Sequence, residues 1–216
     1  MLAKVIEFEG IDGSGKTTAM TYFADELERR GYKILRTREV GNPHVPVCVE
    51  LRKLVLNPEA NLDGRTMEFI FAAMRIENQK FYASVKGQYD FIISDRGWLS
   101  HLSYTDHNVS ADFTNQFYNN LVSKETNLPD AVVFLDVDPE VSLARRHSRN
   151  GFVDAIEAKG QSFQVNVLES FRKYIDKYFY NNDTVRVTLI DANQDLDGVK
   201  SQINNVIEDI VDGQIL

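Results

Sequence analysis

Only one cysteine, Cys48, occurs in the 216 residues of the chain. A single thiol excludes an internal disulfide and leaves no thiolate set for a metal, so Cys48 reads as a small buried apolar residue. The four histidines, His44, His101, His107 and His147, lack the spacing of a zinc site, and no Ser/His/Asp arrangement accompanies them. No apolar run is long enough to span a bilayer. The N-terminus runs almost directly into a strand-like segment, without a charged region or cleavable apolar stretch, so the expected location is cytoplasmic, a host cytoplasm included. Positive charge is also scarce: 24 Lys and Arg against 32 Asp and Glu leave a net charge of −8. That balance argues against an extended nucleic-acid surface, which needs a basic stripe, but not against nucleotides, which local cations can hold. Five prolines, no repeat and no low-complexity linker divide nothing, and the expectation is one domain over residues 1–216. Contents of 43% hydrophobic and 26% charged residues are those of an ordinary globular core and surface.

What is present is most concentrated near the start. Gly10-Ile11-Asp12-Gly13-Ser14-Gly15-Lys16-Thr17 satisfies every fixed position of G-x-x-x-x-G-K-[ST]. Glycines let the backbone curl so that successive N–H groups face a phosphate; Lys16 adds charge for the β and γ oxygens, and the Thr17 hydroxyl suits Mg²⁺. Context supports the match. Lys4 to Phe8 reads as a strand, and Thr17 to Arg30 reads as a helix with Met20, Phe23, Ala24 and Leu27 on one face. The helix start adds the positive end of its dipole. These residues point to a nucleoside triphosphate without saying what is done with it.

The chain then alternates. Candidate strands are 4–9, 33–37, 90–94, 131–136 and 185–190, mostly apolar and β-branched, as suits strands buried on both faces. Helical patterns fall at about 17–30, 46–56, 65–86, 112–127, 139–148, 160–180 and 195–211. The expected fold is α/β, a doubly wound five-stranded parallel sheet with helices on both faces, binding ligands beyond the carboxyl ends of the strands. Polar residues collect there: Asp12 to Thr17, Arg38 and Glu39, Asp95 and Arg96, Asp136 and Asp138, Asp191 and Ala192.

Each constellation has a bland alternative. Asp95-Arg96 ends an apolar strand and is either a structural ion pair or, beside the phosphate loop, a metal-holding acid and a phosphate-clamping guanidinium. Arg38, Arg52 and Arg96 are the cations available to a second phosphate group, though any one alone reads as a surface arginine. Phe71 and Arg75 stand four apart on one helix face, an aromatic plate beside a guanidinium that suits a nucleobase; by pattern alone, Phe71 reads as core. Arg145-Arg146-His147-Ser148-Arg149-Asn150-Gly151 is either a solvated charge run or the cationic start of a lid, about 145–160, that excludes water from a phosphate transfer.

Taken in order, the segments resemble the thymidylate kinase family of nucleoside monophosphate kinases over nearly the whole chain. The landmarks are Phe8 to Thr18, Thr37-Arg38-Glu39, Leu51-Arg52-Lys53-Leu54, Phe71-Ala72-Ala73-Met74-Arg75, Asp95-Arg96 with Ser100 and Tyr104, Leu135 to Val141, and Ile190-Asp191-Ala192. The resemblance implies ATP + dTMP → ADP + dTDP with Mg²⁺ and a homodimer. It places ATP on Gly10 to Thr18 and Ala192. It stacks thymine on Phe71, with Arg75 on O4, Arg52 and Arg96 on the acceptor phosphate, and Glu39, Ser100, His101, Tyr104 and Thr105 around the acceptor. The metal falls to Thr17 and Asp95, and the transfer itself to Lys16, Arg96, Asp12 and the lid residues Arg145 and Arg149. Some family members carry an arginine where this chain has Gly13; those without it draw that charge from the lid, as Arg145, Arg146 and Arg149 would here. Several positions depart from the family pattern: Val40 for a proline, Gly97 for an aromatic, His101 and Thr105 near the base edge, and Asp154-Ala155-Ile156-Glu157 for an Asp-Arg pair in the lid. A broader deoxynucleotide or nucleoside kinase, and a P-loop ATPase or switch, are the alternative readings.

Overall fold

Strands rich in Val, Ile and Phe need cover on both faces, and the chain provides it for the three central strands, while the two outer ones stay partly exposed. The computed structural model describes residues 2–107, 109, 128–148, 156, 159–179 and 185–213. Five strands, β1 (Lys4–Glu9), β2 (Ile34–Arg38), β3 (Phe91–Asp95), β4 (Ala131–Asp136) and β5 (Arg186–Asp191), form one parallel sheet in the order β2-β3-β1-β4-β5. β1 lies centrally. The chain passes to β2 and β3 on one side of it, then crosses to β4 and β5 on the other, which opens a crevice at its carboxyl end.

The helices are α1 (Lys16–Arg29), α2 (Pro46–Leu56), α3 (Gly64–Val85), α4 (Trp98–Thr105), α5 (Pro139–His147), α6 (Gly160–Tyr174) and α7 (Leu196–Val211). A π-helical turn, Ile175–Phe179, continues α6. Strand alternation assigns the faces. Phe8 meets Phe23 of α1 edge-on at 5.2 Å, whereas Val5 packs with Tyr82 of α3 on the opposite face. Glu7 and Glu9 follow Val5 on that second face and reach the start of α4. Phe134 of β4 meets Phe171 of α6 at 5.3 Å. α2 and α3 share a separate cluster of Val45, Cys48, Val55, Met67, Phe71 and Met74, which walls the crevice from outside the sheet.

The doubly wound five-stranded expectation holds, with strand boundaries within a residue of those read from the sequence. Cys48 is fully buried, as its composition implied. α4 was not anticipated. The helix expected over 112–127 lies outside the described residues, as do Arg149 and most of the lid segment.

Candidate active site

The phosphate loop links β1 to α1. Gly15 caps α1 at φ 91°, in the left-handed region, and no side chain caps the helix, so its first amides face the loop. Lys16 is buried, with Nζ donating to the Ile11 carbonyl at 3.0 Å. The Thr17 hydroxyl donates to Asp95 Oδ2 at 2.8 Å, which brings together two hard oxygen donors from the first and third strand ends. Gly13 sits at φ 87°, and a Cβ there would fall 2.5 Å from the Ser142 carbonyl and 3.0 Å from Arg146 Cγ. Helix α5 therefore packs directly on the loop, held also by the Ser142 hydroxyl on the Asp12 carbonyl at 2.7 Å.

Arg96 and Asp12 form the hub between this loop and the next cavity. The Arg96 guanidinium pairs with the Asp12 carboxylate and donates to the Gly10 carbonyl and Ser100 Oγ, each at 2.9 Å. Its backbone is left-handed at φ 72°, unusual for a side-chain-bearing residue and found where surrounding contacts dictate geometry. Asp12 is held further by Gln164, whose Nε2 donates to Oδ2 at 3.2 Å and whose Oε1 accepts from the Asp12 N–H at 3.4 Å. Burial pushes the Asp12 carboxyl up, but the charges of Arg96 and Lys16 and the bonds from Arg96 and Gln164 outweigh it and hold it at about 2. Lys16 is shifted down to about 8, by burial first and Arg96 second, against the pull of Asp12, Asp95 and Glu9.

Beyond Arg96 opens a cavity of about 130 Å³, walled by α2, α3, α4 and α6. Phe71, His101 and Tyr104 supply aromatic surface, and Asp12, Glu39, Arg52, Arg75 and Arg96 supply charge. Arg75 lies over the Trp98 ring, 3.9 Å from its centroid, with Nη2 2.6 Å from Glu39 Oε2, close in distance but off the axis of an aligned hydrogen bond. Arg52 donates to the Val40 carbonyl at 2.6 Å and crosses Gly41, where a Cβ would lie 2.4 Å from its stem. The His101 ring meets Phe71 and Trp98 edge-on at 6.3 and 5.8 Å. Burial, with Arg75 nearby, drives its pKa down to about 3, so the imidazole is neutral. The chemistry is that of a triphosphate loop facing an aromatic, cation-rimmed pocket across one shared arginine.

That layout accords with what similar proteins are. The Thymidylate kinase family model matches residues 8–203. Among curated proteins, a thymidylate kinase of Mycoplasma capricolum is 31% identical over 207 residues, covering 94% of this chain and 93% of its own. One from a Geobacillus strain is 27% identical across 99% of this chain and all of its own, and one from Legionella pneumophila strain Corby is 29% identical across 98% and 97%. The chain belongs to the thymidylate kinase family.

Against the thymidylate kinase pattern, Gly10 to Thr18, Asp95, Arg96, Ser100, Glu39, Arg52, Phe71, Arg75, His101 and Tyr104 converge on the loop and its neighbouring cavity. Thr105 does not. Its hydroxyl lies within hydrogen-bond reach of the buried Glu68 carboxyl and of the His101 carbonyl, away from the cavity. Arg145 is turned from the phosphate loop toward the loop after β5, donating to the Ala192 and Gln194 carbonyls at 2.8 and 3.1 Å. Arg146, by contrast, flanks Gly13 and donates to Gln161 Oε1 at 2.6 Å. Sequence reading passed over Gln164, Glu68 and Trp98, whose partners are distant along the chain. It also left Glu7 without a role, although acids alternating with apolar residues in a central strand were a readable signal.

Proposed function

We propose that this chain transfers the γ-phosphoryl group of ATP to dTMP, giving ADP and dTDP. The observation that carries the reading is Arg96, which binds the phosphate loop through Gly10 and Asp12 and lines the neighbouring cavity. A cation in that position can draw an acceptor phosphate toward a γ-phosphate on the loop. Transfer asks little covalent chemistry of a protein; it asks for alignment and for cancellation of charge on the moving phosphoryl group.

In this reading the loop amides and Lys16 hold the β and γ phosphates. Arg96 and Arg52 hold the acceptor phosphate, Asp12 fixes Arg96, and Ser100 supports it from α4. Phe71 stacks on the base, Arg75 donates to its O4, and His101 borders the base edge. Tyr104 packs beside the deoxyribose, where its ring lies 5.1 Å from the Arg96 guanidinium carbon. Arg146, alongside Gly13, is the described lid residue best set to supply the charge that some relatives take from a loop arginine; Arg149 would join it. Arg145, bound to the Ala192 carbonyl, steadies the donor side instead.

The Thr17 hydroxyl and Asp95 carboxylate suit Mg²⁺, a hard ion that keeps several waters and asks few protein ligands. No cluster of three or more His, Cys, Asp or Glu ligands occurs among the described residues. When bound, Mg²⁺ would neutralise charge on the β and γ oxygens. No helix among the described residues is long and apolar enough to cross a membrane.

Initial rates with ATP and Mg²⁺ test the reading against dTMP, dUMP, dCMP, dGMP, dAMP and thymidine. ADP formation should depend on the acceptor and be fastest with dTMP. Equal ADP formation without any acceptor would make the chain an ATPase and overturn the proposal.

A further inference from the structure

β1 should be apolar, yet two acids interrupt it, and neither lines the cavity. Glu9 accepts from the Gly97 and Ser100 N–H groups at 2.8 and 2.9 Å and thus caps α4. Glu7 is differently placed. It is only 3% exposed, and Oε2 accepts from the Trp98 N–H at 3.0 Å. A Cβ built on Gly97 would fall 1.9 Å from Glu7 Cδ and 2.1 and 2.2 Å from its oxygens. The Gly97 backbone is extended at φ −173°, so space, not conformation, keeps a side chain out. Next in line, Trp98 is 3% exposed and carries the Arg75 guanidinium at 3.9 Å, with Glu39 beyond it at 2.6 Å.

We propose that Glu7 is a positioning residue of the acceptor site: it fills the side-chain space of residue 97 and holds the Trp98 backbone, and so fixes the indole on which Arg75 rests. The proposal rests on the dTMP reading of that site. An apolar residue at 7 could fill the same volume, but it would leave a first-turn amide of α4 without its acceptor in a dry interior.

The anchor works by shape and hydrogen bonding. The charged groups around Glu7 are Glu9 on the same strand, Glu39 after β2, and Arg75 on α3, with the Tyr82 phenol also on α3. Burial raises its pKa to about 8, with Glu39 and Glu9 adding to the rise and Arg75 and the Trp98 N–H opposing it. At pH 7 the group is therefore mostly a neutral acid, and glutamine is its conservative replacement.

Trp98 is the only tryptophan, so emission excited selectively at tryptophan reports this spot alone. Wild type, Glu7→Gln and Glu7→Ala are titrated separately with dTMP and with ATP, and kcat and KM are measured for each. Glu7→Gln should hold dTMP affinity within about twofold, while Glu7→Ala weakens it by about tenfold or more, as expected for a displaced positioning group. ATP affinity and kcat at saturating dTMP should stay within about twofold to threefold. Loss of both affinities together, or a lower melting temperature with dTMP affinity intact, would make Glu7 a core residue and overturn the proposal. Should Glu7→Ala not fold, a pH titration of Trp98 emission without ligand decides, read as the difference between wild type and Glu7→Gln so that the buried Lys16, also shifted to about 8, cancels: that difference should show a step belonging to Glu7. No step in that difference overturns the anchor. A wild-type chain with that step but no dTMP response and no dTMP-dependent ADP formation overturns the acceptor reading instead.

Discussion

Phe71 belongs to two environments at once. It is 9% exposed, packs with Met67, Met74 and Cys48 between α2 and α3, and presents its remaining surface to the cavity that Arg75 also lines. Both readings of the sequence pattern, core aromatic and nucleobase plate, therefore describe the same ring. They separate energetically. Stacking on a base is worth about 1–3 kcal/mol per base, a term that the phosphate loop does not share. Phe71→Ala should accordingly raise the dTMP dissociation constant by roughly one to two orders of magnitude while ATP affinity changes little, both measured by isothermal titration calorimetry. Equal weakening of both nucleotides would leave Phe71 with its packing role alone. Arg75 shows the same doubling at one remove: it faces the cavity with a cation but depends on Trp98 and Glu39 for its place.

Among the elements, α4 carries the densest share of the site, since Ser100, His101 and Tyr104 all project from its eight residues. Its formation has a non-local cause. The N-cap is Gly97, which offers no side-chain acceptor, and the orphan amides of the first turn are satisfied by Glu9 and Glu7 from β1. Removing Glu9 would strand the buried Gly97 and Ser100 N–H groups and the Ser100 hydroxyl, at about 1–3 kcal/mol for each unsatisfied group. Relief of a buried carboxyl offsets part of that, because burial raises the Glu9 pKa against the pull of Arg96. Glu9→Ala is therefore expected to lower unfolding free energy in urea by about 1–3 kcal/mol. It should also raise the dTMP KM, because Ser100 supports Arg96. Unchanged stability together with an unchanged KM would refute the remote cap.

The same non-local capping explains what the sequence did and did not disclose. β1 to β5 and the phosphate loop were legible because an apolar or β-branched run and a glycine spacing are written in adjacent residues. α4 was not, because it is short and its capping carboxyls stand 88 to 91 positions upstream. Phe71 and Arg75 were legible as a pair on one helix face. Trp98 beneath Arg75 was not, because the contact joins α3 to α4. The placement of Thr105 was not legible for a related reason: its partner Glu68 is 37 residues away and holds the hydroxyl away from the cavity.

At the scale of the whole molecule, the carboxyl edge of the sheet concentrates acids and bases whose burial makes stability depend on pH in opposing ways. His101 has a folded pKa of about 3 against an ordinary 6.5, so the native state binds fewer protons than the unfolded chain between those values. Its contribution is fully present above pH 6.5 and is lost as pH falls toward 3. Glu7 behaves oppositely. Raised from 4.5 to about 8, its contribution is complete below pH 4.5 and is lost as pH rises through about 8. Each fully developed slope is about 1.4 kcal/mol per pH unit, so between pH 4.5 and 6.5 the two largely cancel, with Glu9 adding to the acid side. Asp12, held near 2, adds stability above its ordinary 3.8 that is lost only below that window. The wild-type chain should thus show an unfolding free energy that changes less steeply from pH 4.5 to 6.5 than over the decline from 6.5 toward 8. His101→Asn removes one side of the balance. Relative to wild type, its unfolding free energy should rise on acidification from pH 6.5 to 4.5, by up to about 1.4 kcal/mol per unit in urea titrations. Parallel curves for the two proteins would mean that the fold does not hold His101 neutral, and that the imidazole beside Phe71 can carry charge in the working site.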